Sequence, residues 1–406
     1  MDIALKPRVD HVRVKNRPAF LNKEFTENKV RLVHGGREYF ELLKRMIGRA
    51  KETIHLQTYI FDNDHTGNEI ADELVQAAHR NVQVYLLVDG YASQSLPQSF
   101  IDHLSSNGVQ FRFFQPIFKS KSFYFGRRLH HKMLVVDGIA AVAGGINISD
   151  RYNDTDNEPA WLDFALYVEG PVAKELCVLA YKTWKGFPRV MGLTPCETKH
   201  LQFDLNGEEN GFVRMCRNDW VRRKKQITAS YIDLLRKAKK EVTILCSYFL
   251  PGHEFRNHLI RAAQRGVKIK VIMAGRSDVK IAKQAERFIY QDLLDNNIQI
   301  YEYQKTILHG KISVVDNKWV TIGSYNVNNI SAYASIELNL EVYDALFAER
   351  INGMLQQVAA SDCIQVTREW LQKKENLFAR VIEWASYETI RFLFYMCTFY
   401  FKQQQD

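Results

Sequence analysis

The sequence predicts an α/β protein built as two tandem halves, each a sheet covered by helices and related by a pseudo-twofold, followed by a C-terminal amphipathic helical segment. Three observations carry this expectation. Segments of the first half recur in kind and order in the second, strand-like and helix-like runs alternate through both, and an aromatic stretch studded with cations follows the second copy.

Taken in chain order, residues 1–28 read as an N-terminal extension. It lacks the apolar core of roughly 7–15 residues that a secretory signal needs, so none is expected. The first half is assigned to residues 29–205 and the second to 206–365. "AAHRNVQVYLLVDG" from Ala77 matches "AAQRGVKIKVIMAG" from Ala262, each a helix end, a turn and a β-branched strand. Upstream, "AKETIHLQTYIFDND" parallels "AKKEVTILCSYFLPG", and downstream "NGVQFRFFQ" parallels "NNIQIYEYQ". The first copy then carries an insertion of about ten residues within "IFKSKSFYFGRR", Ile117 to Arg128, a basic and aromatic loop. "FDLNGEENG" reads as the linker between halves, and residues 366–406 as the helical tail.

Composition narrows the partners more than the fold. With 406 residues, 46% of them hydrophobic, the chain can bury a large core, and 55 basic against 46 acidic residues leave a net charge of +9. That surface favours phosphate-bearing or otherwise anionic partners. The six cysteines are scattered, with no CxxC pair, and read as packing residues in a reducing compartment. The longest apolar run, "FLFYMCTFYF" from Phe392, falls well short of the roughly 20 residues needed to span a bilayer.

The chemistry lies in a motif that appears twice, H-x-K-x-x-x-x-D: His130, Lys132 and Asp137, then His309, Lys311 and Asp316. One match in a chain this size is weak, but a second copy at the equivalent point of a repeat is not. In an extended strand residues i and i+2 share a face, which puts each His beside its Lys and turns His131 away, to a structural role. After each Asp comes a small-residue turn ending in Asn: "GGIN", with Gly145 and Asn147, and "GSYN", with Ser324 and Asn326. Small residues admit a phosphate to the backbone and the amides add hydrogen bonds, so these four are expected to bind phosphate. Brought to one site, the set suits attack on a phosphodiester. One imidazole forms a phosphohistidine, the other protonates the leaving alkoxide, and the lysines stabilise the equatorial oxygens. Such a pair predicts a bell-shaped pH profile, and the scheme calls for no metal or cofactor.

These residues resemble the phospholipase D superfamily, whose signature is the paired HxKxxxxD with a downstream G-[GS]-x-N, and most closely its short-form bacterial cardiolipin synthases. "QTYIFDND", "GGINISDRY", "YVEGP", "SYFLPGHEF" and "LHGKISVVD" carry the likeness across nearly the whole chain. The resemblance implies two phospholipase D-like domains with the active site at their interface. It also implies that an acidic residue after each motif orients that motif's histidine, which points to Asp163 and Glu337. Ser335 departs from the Asn that relatives often carry before the Glu. Which imidazole attacks stays open, with His130 preferred.

The activity so implied is transfer of a phosphatidyl group from phosphatidylglycerol or phosphatidylethanolamine to phosphatidylglycerol. The alternatives are hydrolysis of phospholipids and a superfamily nuclease or phosphodiesterase. The expected partners are phospholipid substrates and an anionic membrane surface rather than nucleic acid, at the cytoplasmic face of the inner membrane and peripheral to it. Two segments are candidates for membrane contact: the insertion loop, with Phe123, Phe125, Arg127 and Arg128 at the rim, and the C-terminal helix, with Phe392 and Phe394. Packing of that helix on the body is the alternative. Oligomeric state leaves no signal in the sequence.

Overall fold

The computed structural model describes residues 25–116, 127–155, 158–187, 196, 209–328, 331–332, 335–374 and 377–402. The strands are β1 (Thr26–His34), β2 (Thr53–Thr58), β3 (Gln83–Asp89), β4 (Gln110–Phe114), β5 (Arg128–Leu129), β6 (Met133–Val136), β7 (Ala140–Gly144), β8 (Phe164–Glu169), β9 (Glu209–Asp219), β10 (Lys224–Lys225), β11 (Glu241–Cys246), β12 (Lys268–Ala274), β13 (Ile298–Tyr303), β14 (Lys311–Val315), β15 (Trp319–Gly323), β16 (Ser335–Tyr343) and β17 (Cys363–Val366). The helices are α1 (Arg37–Arg49), α2 (His65–His79), α3 (Gln98–Ser106), α4 (Pro171–Trp184), α5 (Gln226–Lys237), α6 (His253–Gln264), α7 (Lys280–Phe288), α8 (Tyr290–Asp295), α9 (Ala345–Ser361), α10 (Arg368–Lys374) and α11 (Leu377–Lys402).

The repeat in the sequence is a repeat in space. In the first half β2, β3 and β4 run parallel, and β2 continues antiparallel through β6, β7 and β8 to β1. The second half copies this order: β11, β12 and β13 parallel, then β14, β15 and β16 to β9. β1 and β9 pair antiparallel where the halves meet, with Thr26 opposite Val213. All six residues of β2 are buried, as expected of a parallel strand covered on both faces. α1 buries Tyr39, Phe40, Leu42, Leu43, Met46 and Ile47, the helical period that lays one stripe on the sheet.

Helices α1, α2 and α3 enclose one outer core and α5, α6 and α8 another. A third core lies between the two sheets and joins Leu166 and Val168 of β8 to Ile322 of β15 and Leu340 of β16, with Leu176 of α4 and Leu355 of α9. The halves therefore share a core. Of the expected linker, residues 203–208 lie outside the described residues, and residues 209–211 already belong to β9, held between β1 and β16.

Two further expectations change. Cys177 and Cys196 form a disulfide rather than standing as packing thiols, while Cys216, Cys246 and Cys363 are not disulfide-bonded. The pairing needs the segment after α4 to fold back on it, which no spacing rule reveals, and the inference of a reducing compartment loses its premise. The C-terminal helix packs on the body and also keeps an exposed apolar face. One face packs on α7, with Phe288 and Tyr387 rings 5.0 Å apart and Ser386 Oγ donating to Gln284 Oε1 at 2.9 Å, while the other exposes Phe378, Trp384 and Phe392. Among the described residues no helix is long and apolar enough to cross a membrane.

His55 in β2 generates a stability prediction. Its ring stacks on Tyr85 at 4.7 Å, neither ring nitrogen has a hydrogen-bond partner among the described residues, and burial pushes its pKa from 6.5 down to about 4. A group lowered in the fold contributes fully above the unfolded value and loses that contribution as pH falls below it. His55→Phe should therefore raise the melting temperature at pH 5, by the equivalent of about 2 kcal/mol, and far less at pH 8. Equal shifts at both pH values, measured by calorimetry, would show that the neutral imidazole is not the cause.

Candidate active site

Short cross-half ladders set the motif histidines. β5 pairs parallel with β16, Arg128 opposite Ser335 and Leu129 opposite Ile336, and His130 N donates to Ile336 O at 3.0 Å. The mirror contact joins Leu162 to Leu308, with His309 N donating to Leu162 O at 2.8 Å. Each histidine thereby lands beside the acid of the other half. His130 Nδ1 lies 2.9 Å from Glu337 Oε2, and His309 Nδ1 lies 2.6 Å from Asp163 Oδ2. The expectation that each acid orients the histidine of its own half is wrong. Asp163 follows the first motif in the chain but serves the second, because the strand entering each motif pairs with the strand leaving the other.

With Nδ1–H given to a carboxylate, Nε2 of each imidazole is left without a hydrogen bond among the described residues and can act as nucleophile or acid. Burial lowers His130 below its ordinary value against the pull of Glu337, and Lys132 adds to the lowering. Burial and then Lys311 likewise hold His309 down against Asp163. Burial pushes Asp163 upward, but Lys311 and His309 outweigh it and keep the carboxyl below the usual range.

The lysines are buried beside their histidines, although His130 and Lys132 precede β6 rather than sharing a strand. Lys132 Nζ donates to His130 O at 3.0 Å and lies 5.0 Å from the centre of the Tyr59 ring. Burial lowers its pKa to about 7 against Glu337. Lys311 Nζ, lowered by the same cause, lies 3.0 Å from His309 Nδ1.

Both histidines line one cavity of about 610 Å³, together with Asn147, Asn326, Arg128, Tyr152 and Trp161. A larger cavity of about 720 Å³ lies beyond Arg151 and Trp161 but touches neither motif, so the smaller one is the site. Sequence reasoning missed the aromatic walls. Tyr59 meets the His130 ring edge-on at 4.9 Å, and Tyr152 and Trp161 stand 5.1 and 6.1 Å from the His309 ring. Tyr59 matching Tyr248 across the repeat was the available signal. Among the described residues no three His, Cys, Asp or Glu side chains are grouped to hold a metal ion.

The remaining candidates divide. Asn147 accepts from Ile60 N at 3.1 Å and donates to the Tyr152 hydroxyl at 2.9 Å. Asn326 accepts from Ser247 Oγ at 2.7 Å, and its Nδ2 has no partner among the described residues. Gly145 and Ser324 are corrected, since neither offers a group to phosphate. Gly145 N donates to Phe164 O, and a Cβ there would stand 2.3 Å from Asp163 Oδ1, so the glycine makes room for the carboxylate. Ser324 Oγ donates to Glu337 Oε2 and steadies it.

Asp137 and Asp316 do not line the cavity. They lie at the far ends of β6 and β14, where Asp137 accepts from Lys51, Glu52 and Thr53 N, and Asp316 from Lys239, Lys240 and Glu241 N. Each ties its strand to the start of a neighbour. Arg127 is corrected as well: it is buried and grips Asp219 at 2.9 and 3.3 Å, joining the halves, whereas Arg128 stays on the cavity wall. Phe123 and Phe125 lie outside the described residues. Phe392 is 61% exposed on α11, and Phe394 falls in the same helix with its side chain outside the described set.

Comparison with known proteins agrees with this architecture. Residues 43–166 and 231–359 match the family described as cardiolipin synthase, PLD-like domain. Cardiolipin synthase B of Escherichia coli K12 is 32% identical over 350 residues, covering 86% of this chain and 84% of that protein. Cardiolipin synthase 2 of Bacillus anthracis is 30% identical over 375 residues, covering 91% of this chain and 72% of that one. The crystal structure of phosphatidylserine synthase from Haemophilus influenzae shares the fold, with a TM-score of 0.67 at 14% identity over 89% of this chain and 93% of that one. With both repeats matched and the two motifs facing one cavity, the chain belongs to the phospholipase D superfamily, in its cardiolipin synthase-like branch of phosphatidyltransferases.

Proposed function

We propose that the protein makes cardiolipin, moving a phosphatidyl group from phosphatidylglycerol or phosphatidylethanolamine to the terminal hydroxyl of phosphatidylglycerol. The observation that carries this reading is the pair of carboxylate-oriented imidazoles with free Nε2 atoms lining one cavity. One Nε2 attacks phosphorus and the bond to the headgroup oxygen breaks. The other imidazole protonates the departing alkoxide, which leaves as glycerol or ethanolamine. That second imidazole, now neutral, takes the proton of the incoming hydroxyl. The new oxygen attacks phosphorus and the phosphorus–nitrogen bond breaks, freeing the first histidine. Lys132, Lys311 and Asn326 supply positive charge and an N–H to the equatorial oxygens. His130 is our choice of nucleophile. Attachment is peripheral, with the exposed face of α11 against an anionic leaflet at the cytoplasmic side.

The direct test incubates the purified protein with vesicles of phosphatidylglycerol, alone and mixed with phosphatidylethanolamine. Mass spectrometry should find cardiolipin, and a parallel DNA lane should stay intact. DNA cleavage without cardiolipin would favour the superfamily nuclease instead. His130→Ala and His309→Ala should each abolish transfer.

Glu337→Gln keeps the shape of the acid and removes its charge. By the logic of histidine–carboxylate pairs it should cost roughly 10²-fold or more in kcat. A loss below threefold would mean that the cross-half pair does not orient the nucleophile.

The pH dependence follows from the shifts. Lowered imidazoles keep the nucleophile neutral to below pH 6.5, and Lys132 loses its charge as pH rises through about 7. Because the general-acid imidazole is lowered as well and must carry its proton to act, the kcat/KM profile should be a bell that turns over below pH 6.5 and falls further as Lys132 loses its charge near 7. A rate still rising at pH 9 would rule this assignment out.

A further inference from the structure

We propose that the acyl chains of the lipid leave the catalytic cavity through an apolar portal between α7 and α11, so that chain recognition is separated from phosphate chemistry. The inference rests on the phospholipid reading above and deepens it.

The cavity walls differ in character. Around the imidazoles they are polar or aromatic, with Arg128, Arg151, Asn147 and Asn326. Toward α7 and α11 they are mainly aliphatic: Val279, which caps α7, then Ile281 and Ala282 within it, with Ile390 and Leu393 from α11, beside one carboxylate, Asp278, which accepts from the Tyr248 hydroxyl. Three of these residues also face solvent, Val279 at 42%, Ile281 at 41% and Leu393 at 52% exposure. Apolar surface open both to a reaction cavity and to the exterior marks a path for an apolar ligand.

Size requires such a path. Half of a roughly 30 Å hydrocarbon core makes an acyl chain about 15 Å long, and a sphere of 610 Å³ is only about 10 Å across. With the phosphate at the histidines the chains must project outside. The aliphatic side lets them do so without stripping water from arginines and amides.

The portal is also firmly built. α7 is anchored from below by Lys283, which meets Glu302 Oε1 at 2.9 Å and the Tyr290 hydroxyl at 2.6 Å. Glu286 of α7 accepts from Phe249 N at 2.7 Å, next to Tyr248 on the cavity wall. α11 is held to α7 through the Ser386–Gln284 and Phe288–Tyr387 contacts. One lip thus connects to the catalytic wall and the other to the exposed face of the C-terminal helix.

The test uses the double variant Ile281→Asn/Leu393→Asn, which is neutral and leaves the charge near the phosphate unchanged. Detergent micelles replace vesicles, so that membrane binding is not the readout. The measured quantity is the ratio of kcat/KM for dioleoyl phosphatidylglycerol to that for bis-p-nitrophenyl phosphate, a diester with no chains. The ratio should fall by about tenfold or more, while Ile281→Leu/Leu393→Ile holds it within about twofold. An unchanged ratio, or equal loss on both substrates with the circular dichroism of the wild type, overturns the portal. A wild type that cleaves the chain-free diester and turns over no phospholipid overturns the lipid reading instead, which separates the two failures.

Discussion

The exchange of carboxylates across the pseudo-twofold is the constraint on which the rest of the structure depends. Neither half holds a complete histidine–acid pair: Glu337 reaches His130 and Asp163 reaches His309. A buried carboxylate stripped of its partner costs about 3–5 kcal/mol, so each half supplies what the other cannot stably leave unpaired. The surrounding fold serves this exchange. β9 lies hydrogen-bonded between β1 and β16, the cores merge between the sheets, and Arg127 grips Asp219 with both faces dry. A domain pair joined by a loose linker would not hold two imidazoles to one cavity.

The same burial that secures these pairs prepares the cavity for an anion. Two ammonium groups and two imidazoles sit with two carboxylates in a poorly hydrated space, and desolvation weakens the proton affinity of both lysines. A phosphodiester entering this space adds a negative charge that favours the protonated lysines and imidazole, so binding substrate and charging the site favour each other. The sterics are equally tight. Gly145 is a glycine because Asp163 occupies the space of its side chain, and Gly310 stands where the first half has His131 because a Cβ there would press on Phe164 at 2.9 Å. The two halves are thus symmetric in their chemistry and unequal in their packing.

The sequence reached a long way wherever the signal was local or repeated. Alternation of β-branched runs with helical stripes gave two α/β halves, and the doubled motif singled out His130, Lys132, His309 and Lys311. The family resemblance, rather than the spacing, pointed to Asp163 and Glu337 as orienting acids. Sequence reasoning misjudged groups whose role depends on neighbours distant in the chain. Asp137 and Asp316 share the motif with the histidines, yet a strand's length carries them to the opposite end of the sheet, where they tie backbone amides. Ser324 turns toward Glu337, and Arg127 reads as loop charge but is buried against the second half.

What the sequence by itself determined is the repeated order of strands and helices and the two His–Lys pairs, because side-chain period and motif spacing are properties of the chain alone. Tertiary structure decided which acid meets which histidine, that Cys177 finds Cys196, and that α7 and α11 together border the cavity with aliphatic side chains. The physical reason is that these depend on strand neighbours chosen across the pseudo-twofold. When β5 pairs with β16 rather than with a strand of its own half, each motif histidine takes its carboxylate from the opposite copy.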